Sequence, residues 1–227
     1  MTCLQWSEAM RAWGMLVTMA MLLVCCDANA ARQDDDEIRK LALTQLQSQD
    51  VDTRLAACTV LAKVGRQEDV PLLQSRLFDH DNRVRGTAEA VIWAIWSRSG
   101  DAATDQLFKR GVEQMRDGHL KMAIDTFDRV IAMRPEFAEG WNKRATVYFL
   151  LGEDDLSLKD CAEVLKRNPR HFGVLAGYGQ IYLRKGELQR SLEFFEQALA
   201  INPNMTGVQA SIDALRELMV KRGRRFI

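Results

Sequence analysis

Regularly spaced prolines and glycines constrain this chain more than any other feature. Within each set the spacing is 34 residues, and the members are Pro135, Pro169 and Pro203, with Gly118, Gly152 and Gly186. Between these markers, residues 104–137, 138–171 and 172–205 align column by column in chemical type. A unit of this length cannot bury its apolar face alone, so consecutive copies must stack.

The aligned columns have the pattern of paired helices. Small residues recur at Gly111, Ala145 and Gly179, where two helices can approach closely. Each spaced glycine can end a first helix in the left-handed conformation without strain, and each proline stops a second helix. The frame therefore predicts three helical hairpins. Trp141 falls in a large apolar column, which predicts a role in packing rather than in a pocket.

This frame resembles the tetratricopeptide repeat (TPR), a helix–turn–helix unit of 34 residues. The resemblance implies an all-α solenoid with three TPRs over residues 101–205. Residues Val208–Val220 carry apolar side chains at helical spacing, which predicts a helix that caps the last repeat. Residues 206–227 are therefore assigned to a capping helix and a basic tail.

A second period, of 31 residues, lies upstream. Arg54 aligns with Arg85, and Ala57 with Ala88. Residues 31–100 resemble short HEAT-type repeats, with an unrelated pair of helical hairpins as the alternative, and Asp52 or Asn82 is the expected helix cap. No Pro-rich or Ser-rich linker follows, so we expect one continuous solenoid in which each repeat touches only its neighbours.

Two tryptophans and two cysteines add expectations about packing. Trp93 and Trp96 lie three residues apart, on one side of a helix. We expect them to form a wedge between the two repeat types, with an aromatic anchor for a partner as the alternative. Cys58 and Cys161 are expected to be separate, buried thiols, because they lie on opposite sides of the junction between the repeat types.

The first 30 residues have the order of a secretory signal, with Arg11, an apolar run and Ala28-Asn29-Ala30. The run from Trp13 to Val24 has 12 residues, whereas about 20 are needed to span a bilayer as a helix. We therefore expect export to a bacterial periplasm with no stable membrane span after cleavage. Lipid attachment at Cys25 or Cys26 and an uncleaved signal anchor are less favoured alternatives.

Three stretches also resemble a group of small exported TPR proteins of proteobacteria. They are IWAIWSRSGD, GWNKRATVYF and NPRHFGVLAGYGQIYL. The resemblance implies location and fold, but no mechanism. The HEAT-like front end is less typical of that group.

No sequence pattern predicts catalysis, a metal or a cofactor. His80, His119 and His171 are far apart, and the chain has neither a CxxC pair nor a phosphate-binding glycine loop. Lys and Arg number 31, as do Asp and Glu, so there is no general attraction to nucleic acid. The sequence favours a non-enzymatic protein.

The resemblance to TPR proteins implies a concave groove lined by the first helix of each repeat. Its positions are Phe108, Val112, Met115, Arg116, Asn142, Thr146, Phe149, Leu150, Ala176, Gln180, Leu183 and Arg184. We expect this groove to bind a peptide or an unidentified protein, with Asn142 and Gln180 bonding its backbone. Phe108, Val112 and Ala176 replace the polar residues of the carboxylate clamp in cytosolic adaptors, so that partner is not expected. The alternative function is a self-associating structural component of the envelope.

Overall fold

A computed structural model of the chain describes residues 33–223, and every regular element in that range is a helix. The all-α prediction is confirmed. The predicted signal segment and the last four residues of the basic tail lie outside the described residues. The chain divides into two compact units, one ending at Gly65 and one beginning at Arg66. The second HEAT-like hairpin therefore shares a unit with the TPRs.

The first unit contains helix α1, over residues 33–45, and helix α2, Val51–Val64. Its buried side chains include Ala42, Leu46 and Leu61. The Asp50 carboxylate caps α2 by accepting the Thr53 N–H at 2.8 Å. Asp52, the expected cap, lies inside the first turn of the helix instead.

The second unit begins with a 3-10 turn, Gln67–Asp69, followed by α3, Val70–Arg76, and α4, Asn82–Trp96. Asp81, rather than the expected Asn82, caps α4 by accepting the Arg83 N–H at 2.8 Å. Arg85 donates to the Asp79 carbonyl at 2.9 Å. Arg54 donates in the same way to the Ser48 carbonyl at 2.9 Å. The 31-residue sequence period therefore corresponds to a turn that occurs twice, in which an aspartate caps the helix and an arginine bonds a carbonyl of the turn.

The three predicted TPR hairpins and the capping helix are observed. Their helices are α5, Ala102–Arg116; α6, Leu120–Met133; α7, Ala138–Leu151; α8, Asp154–Arg167; α9, Phe172–Arg184; α10, Leu188–Ile201; and α11, Thr206–Gly223. Each turn glycine has a positive φ, of 80° at Gly118, 82° at Gly152 and 77° at Gly186. A side chain at these positions would be strained, which explains why glycine recurs.

In the first and in the third hairpin, the two helices cross closely. A Cβ atom added at Gly111 would lie 2.7 Å from the Phe127 ring, and one added at Gly179 would overlap the Phe195 ring. Both phenylalanines are completely buried. The second repeat has Ala145 and Cys161 in these two columns. The crossing there is therefore made by a smaller pair of side chains.

The second HEAT-like hairpin contacts the third TPR. Trp96 stacks on His171 with ring centroids 4.2 Å apart, and it lies 5.0 Å from the Phe172 ring. Trp93 approaches Phe172 edge-on at 5.4 Å. A Cβ atom at Gly173 would lie only 2.5 Å from Trp93 Cη2, so the glycine provides the space for this ring.

Polar contacts reinforce this junction between α3–α4 and the third repeat. The Asn204 amide donates to the Leu77 carbonyl at 2.9 Å, and its oxygen accepts from Arg85 at 2.8 Å. The expectation that each repeat touches only its neighbours is therefore wrong for this hairpin. The tryptophans do form a wedge, but they pack on the last TPR, where Gly173 leaves room for an indole ring.

Candidate functional site

A cavity of about 150 Å³ lies between α7 and α9, in the middle of the predicted groove. Four predicted groove residues line it: Asn142, Thr146, Phe149 and Gln180. The remaining wall is mostly apolar and includes Val174 and Ile181. We call this space the groove cavity.

The small residues of the second repeat explain why this space exists. Ala145 and Cys161 line the groove cavity in the columns that hold glycine and phenylalanine in the neighbouring repeats. Gly177 also lines it, and a Cβ atom added there would meet nothing within 4 Å. The replacement of a phenylalanine by Cys161 was visible in the sequence, but its consequence was not.

The polar groups of the groove cavity are held in fixed orientations. The Asn142 amide nitrogen donates to the two Glu139 carboxylate oxygens at 3.1 and 2.9 Å. The Thr146 hydroxyl donates to the Asn142 carbonyl at 2.9 Å. The Ser157 hydroxyl is buried and donates to the Ala145 carbonyl at 2.8 Å. Because its N–H groups are already used, Asn142 can offer an incoming chain its side-chain oxygen.

Phe149 lies at the far end of the groove cavity, under an arginine. The Arg184 guanidinium carbon is 3.8 Å from the centre of the Phe149 ring, a cation–π geometry. Arg184 also donates to the Phe149 carbonyl at 2.9 Å and pairs with Asp154. Arg184 therefore joins α9 to the end of α7, and it holds the Phe149 ring in place.

The predicted groove residues of the first repeat do not reach the groove cavity. Phe108 is only 5% exposed and packs against Phe127 and Phe137. Val112 and Met115 are half-buried against the same core cluster. Arg116 is exposed and bonds its neighbour Asp117. Three of the four predicted groove residues of the first repeat therefore pack against the core of the first hairpin.

The remaining predicted positions differ in accessibility. Ala176 is buried, and Leu183 is half-buried. Leu150 is 55% exposed, but it does not line the groove cavity. Trp141 is half-buried, and its indole N–H donates to the Pro135 carbonyl at 2.9 Å.

A buried acid–histidine pair lies beside the groove cavity, at the starts of α7 and α9. The His171 Nδ1 atom accepts the Val174 N–H at 3.1 Å, so Nε2 carries the proton and donates to Glu139 at 2.6 Å. Burial alone would raise the pKa of Glu139. The hydrogen bond from His171 and the charge of Lys143, 3.5 Å away, instead lower this pKa to about 2.

The tryptophan wedge lies beside one wall of the groove cavity, at Gly173. The Lys143 ammonium lies 5.4 Å from the Trp93 ring centroid, and Trp93 fills the space above Gly173. Trp93 therefore occupies the space beside Gly173, which lines the groove cavity. The repeat pattern gives no signal for this contact, because it carries no information about contacts between the two repeat types.

The Cys161 thiol is not disposed to act as a nucleophile. Burial raises the pKa of the Cys161 thiol to about 12, so the nucleophilic thiolate is not formed near neutral pH. Cys58 and Cys161 are both buried, and no disulfide joins them. Among residues 33–223, acidic, histidine and cysteine side chains form no cluster of three that suits a metal ion. Within that range, no helix combines the length and apolar character needed to cross a bilayer.

Family models match both predicted repeat types. A HEAT-repeat model matches residues 26–114, and tetratricopeptide-repeat models match residues 108–169 and 173–205. A TPR repeat-containing protein of Rhizobium etli is 34% identical over 122 residues, which cover 54% of this chain and 60% of the relative. A small glutamine-rich TPR protein of Dictyostelium discoideum is 26% identical over 51% of this chain and 35% of its own length. The chain thus spans less than two thirds of these curated relatives.

Solved structures show the same fold. One is the first TPR of Spaghetti (RPAP3) bound to an HSP90 peptide, with a TM-score of 0.50 and 18% identity over 52% of this chain and 93% of that chain. Another is the Yersinia enterocolitica secretion chaperone SycD in complex with a peptide of the translocator YopD. It has a TM-score of 0.50 and 15% identity over 52% of this chain and 96% of that chain. This chain is a repeat protein that combines HEAT-like repeats and TPRs.

Proposed function

We propose that this protein is a non-enzymatic adaptor of the cell envelope that binds an extended segment of another protein between α7 and α9. The groove cavity carries the proposal, because it brings Asn142, Phe149 and Gln180 of two successive repeats to one opening. Its apolar wall suits one side chain of moderate size, and the flanking amides suit a peptide backbone. Two solved TPR structures of the same fold hold a bound peptide, which supports a peptide as the class of ligand.

The envelope location is part of the same proposal. It rests on the signal-like order of residues 1–30, which ends in Ala28-Asn29-Ala30. Fractionation of cells that express the full chain should recover it with periplasmic proteins, shortened by roughly the predicted signal. Recovery of the uncut chain with cytoplasmic proteins would contradict the location without affecting the groove.

Filling the groove cavity tests the binding role directly. Leucine at position 177 adds a side chain where a Cβ atom meets nothing within 4 Å, so Gly177→Leu should block the groove without overpacking it. A photo-crosslinking residue at position 149 should capture one partner in cells, and Gly177→Leu should abolish the capture. Gly177→Ala is the matched control, because it adds the same helix preference with little volume.

The outcome is informative only if the variants fold. Thermal melts of Gly177→Leu and Gly177→Ala should match or exceed that of the unmodified chain, since glycine weakens a helix interior. A crosslink that persists at full yield in Gly177→Leu would show that the partner does not use the groove cavity. A crosslinker at exposed Lys166 should capture no such partner.

Exposed leucines favour self-association as the second candidate function. Leu150, Leu151 and Leu156 are 55%, 40% and 38% exposed at the turn between α7 and α8. The corresponding positions of the third repeat are Arg184, Lys185 and Arg190, so this turn differs from its neighbour in polarity. Light scattering of the full chain decides between the functions, because a mass that rises with concentration supports self-association and a constant monomer mass opposes it.

A further inference from the structure

A second cavity, of about 500 Å³, lies where α3 and the end of α4 face the turns before α7 and α9. We call it the junction cavity. No predicted groove residue lines it, and both repeat types contribute to its wall. Its volume falls within the usual range for small-molecule sites, about 300–1,000 Å³. It is therefore large enough for a ligand and distinct from the groove cavity.

One part of the wall of the junction cavity is apolar and rigid. Val70, Trp96 and Phe137 line it and are 6%, 3% and 6% exposed, respectively. Pro71 and Pro169 extend the same surface. Trp96 is held by its stacking on His171 at 4.2 Å. This wall suits a compact apolar group, and an aromatic ring matches it best.

Three arginines line the junction cavity, and two of them face a carboxylate of this chain. Arg98 is half-buried and interacts electrostatically with Asp105, and Arg167 donates to Glu163 at 2.7 Å. The two carboxylates that line the junction cavity also have partners within the chain. Glu136 pairs with Arg134 at 3.1 Å, and Glu139 belongs to the buried pair with His171.

The third arginine, Arg170, is held by a neutral group. Its Nε atom donates to the Gln74 side-chain oxygen at 2.7 Å, and the Gln74 amide returns a bond to the Arg170 carbonyl at 3.1 Å. Gln74 is only 2% exposed and Arg170 is exposed, so this reciprocal clamp anchors the Nε end of the guanidinium to a buried amide. Within residues 33–223, Arg170 forms no ion pair, and its two terminal nitrogens make no hydrogen bond. A guanidinium that is anchored at Nε and keeps its terminal N–H donors favours a carboxylate.

We propose that the junction cavity binds a small organic acid, with its carboxylate on Arg170 and a compact apolar or aromatic stem against Trp96 and Phe137. The ligand lies between the HEAT-like hairpin and the turns of the TPRs, and it holds them together. This site goes beyond the proposed function, since it uses none of the groove residues.

Binding of 3-phenylpropionate to the full chain tests this site. Isothermal titration should show saturable binding of one molecule, and 3-phenylpropanamide, which has the same stem without the charge, should bind at least tenfold more weakly. Arg170→Ala should weaken 3-phenylpropionate binding at least tenfold. Arg190→Ala, which removes an exposed arginine outside the junction cavity, should change it less than twofold.

Several results would overturn the proposal. Equal affinities for 3-phenylpropionate and 3-phenylpropanamide would show that the carboxylate charge does not contribute to binding. This result would hold even if Arg170→Ala failed to fold. Unchanged binding in a folded Arg170→Ala would remove the role of this residue, and so would the absence of binding to the unmodified chain. If a peptide ending in phenylalanine bound and 3-phenylpropionate did not, the ligand of the junction cavity would be the C-terminus of a peptide and not a small acid. Gly177→Leu should leave this binding intact, which separates the site from the groove.

Discussion

Two kinds of contact stabilise the second unit. One is the helix crossings inside the TPRs, and the other is the junction between α3–α4 and the third repeat. The crossings are local and repeated, since Gly111 receives Phe127 and Gly179 receives Phe195 in the same geometry. The junction joins residues far apart in sequence, such as Gln74 and Arg170, which are separated by 96 positions. It occurs once, and it combines stacked aromatic rings with a buried, hydrogen-bonded acid–histidine pair.

This difference distinguishes contacts that any TPR protein needs for stability from contacts that are particular to this protein. A crossing that recurs with the repeat gives each hairpin its core and would serve any TPR. The junction places Trp93 over Gly173, at the wall of the groove cavity, and creates the junction cavity. We therefore assign the general fold to the crossings, and the features that distinguish this protein to the junction.

Removal of a crossing should have the largest effect on stability. Phe195 is completely buried at the Gly179 crossing, so Phe195→Ala should lower the free energy of unfolding by ~3–5 kcal/mol. Phe78→Ala removes a ring that is 56% exposed and should change it by less than ~1 kcal/mol. Urea unfolding of both variants checks this contrast, and similar midpoints would refute the assigned crossing.

The junction should be sensitive to acid, whereas the crossings should not. The folded-state pKa of Glu139 is about 2 and its ordinary value is 4.5, so its contribution is complete above pH 4.5 and is lost as the pH falls towards 2. Urea unfolding between pH 5 and pH 3 should show a steeper loss for the unmodified chain than for Glu139→Gln. Parallel curves would contradict this role of the buried pair.

A smaller effect is expected at the polar edge of the junction. Asn204 bonds both the Leu77 carbonyl and Arg85, so Asn204→Ala should cost ~1–3 kcal/mol by leaving these groups unpaired. Gln209→Ala removes an exposed amide of α11 that bonds only within its helix, and its effect should be near zero. Thermal melts of the two variants measure this difference. An unaffected Asn204→Ala would mean that α3–α4 does not depend on this contact.

The sequence predicted the features that follow from period and residue size. Gly152 and Pro169 marked the turns and helix ends because few residues accept those backbone conformations. The position of α4 could not be predicted this way, because docking of Trp93 over Gly173 depends on surfaces that meet only after the repeats stack. The TPR resemblance assigns the groove by position alone, and it therefore includes Phe108, whose ring is buried in the first hairpin.

A double-mutant cycle between Trp93 and Gly173 tests the central claim that α4 docks on the third TPR. Gly173→Ala should destabilise the unmodified chain by ~1–3 kcal/mol, because the added methyl group meets the Trp93 ring. In a Trp93→Ala background the same change should no longer destabilise, which gives a coupling energy of ~1–3 kcal/mol. Urea unfolding of the four chains provides the values. Costs that add within ~0.5 kcal/mol would show that the two residues do not touch, and the junction as described would be wrong.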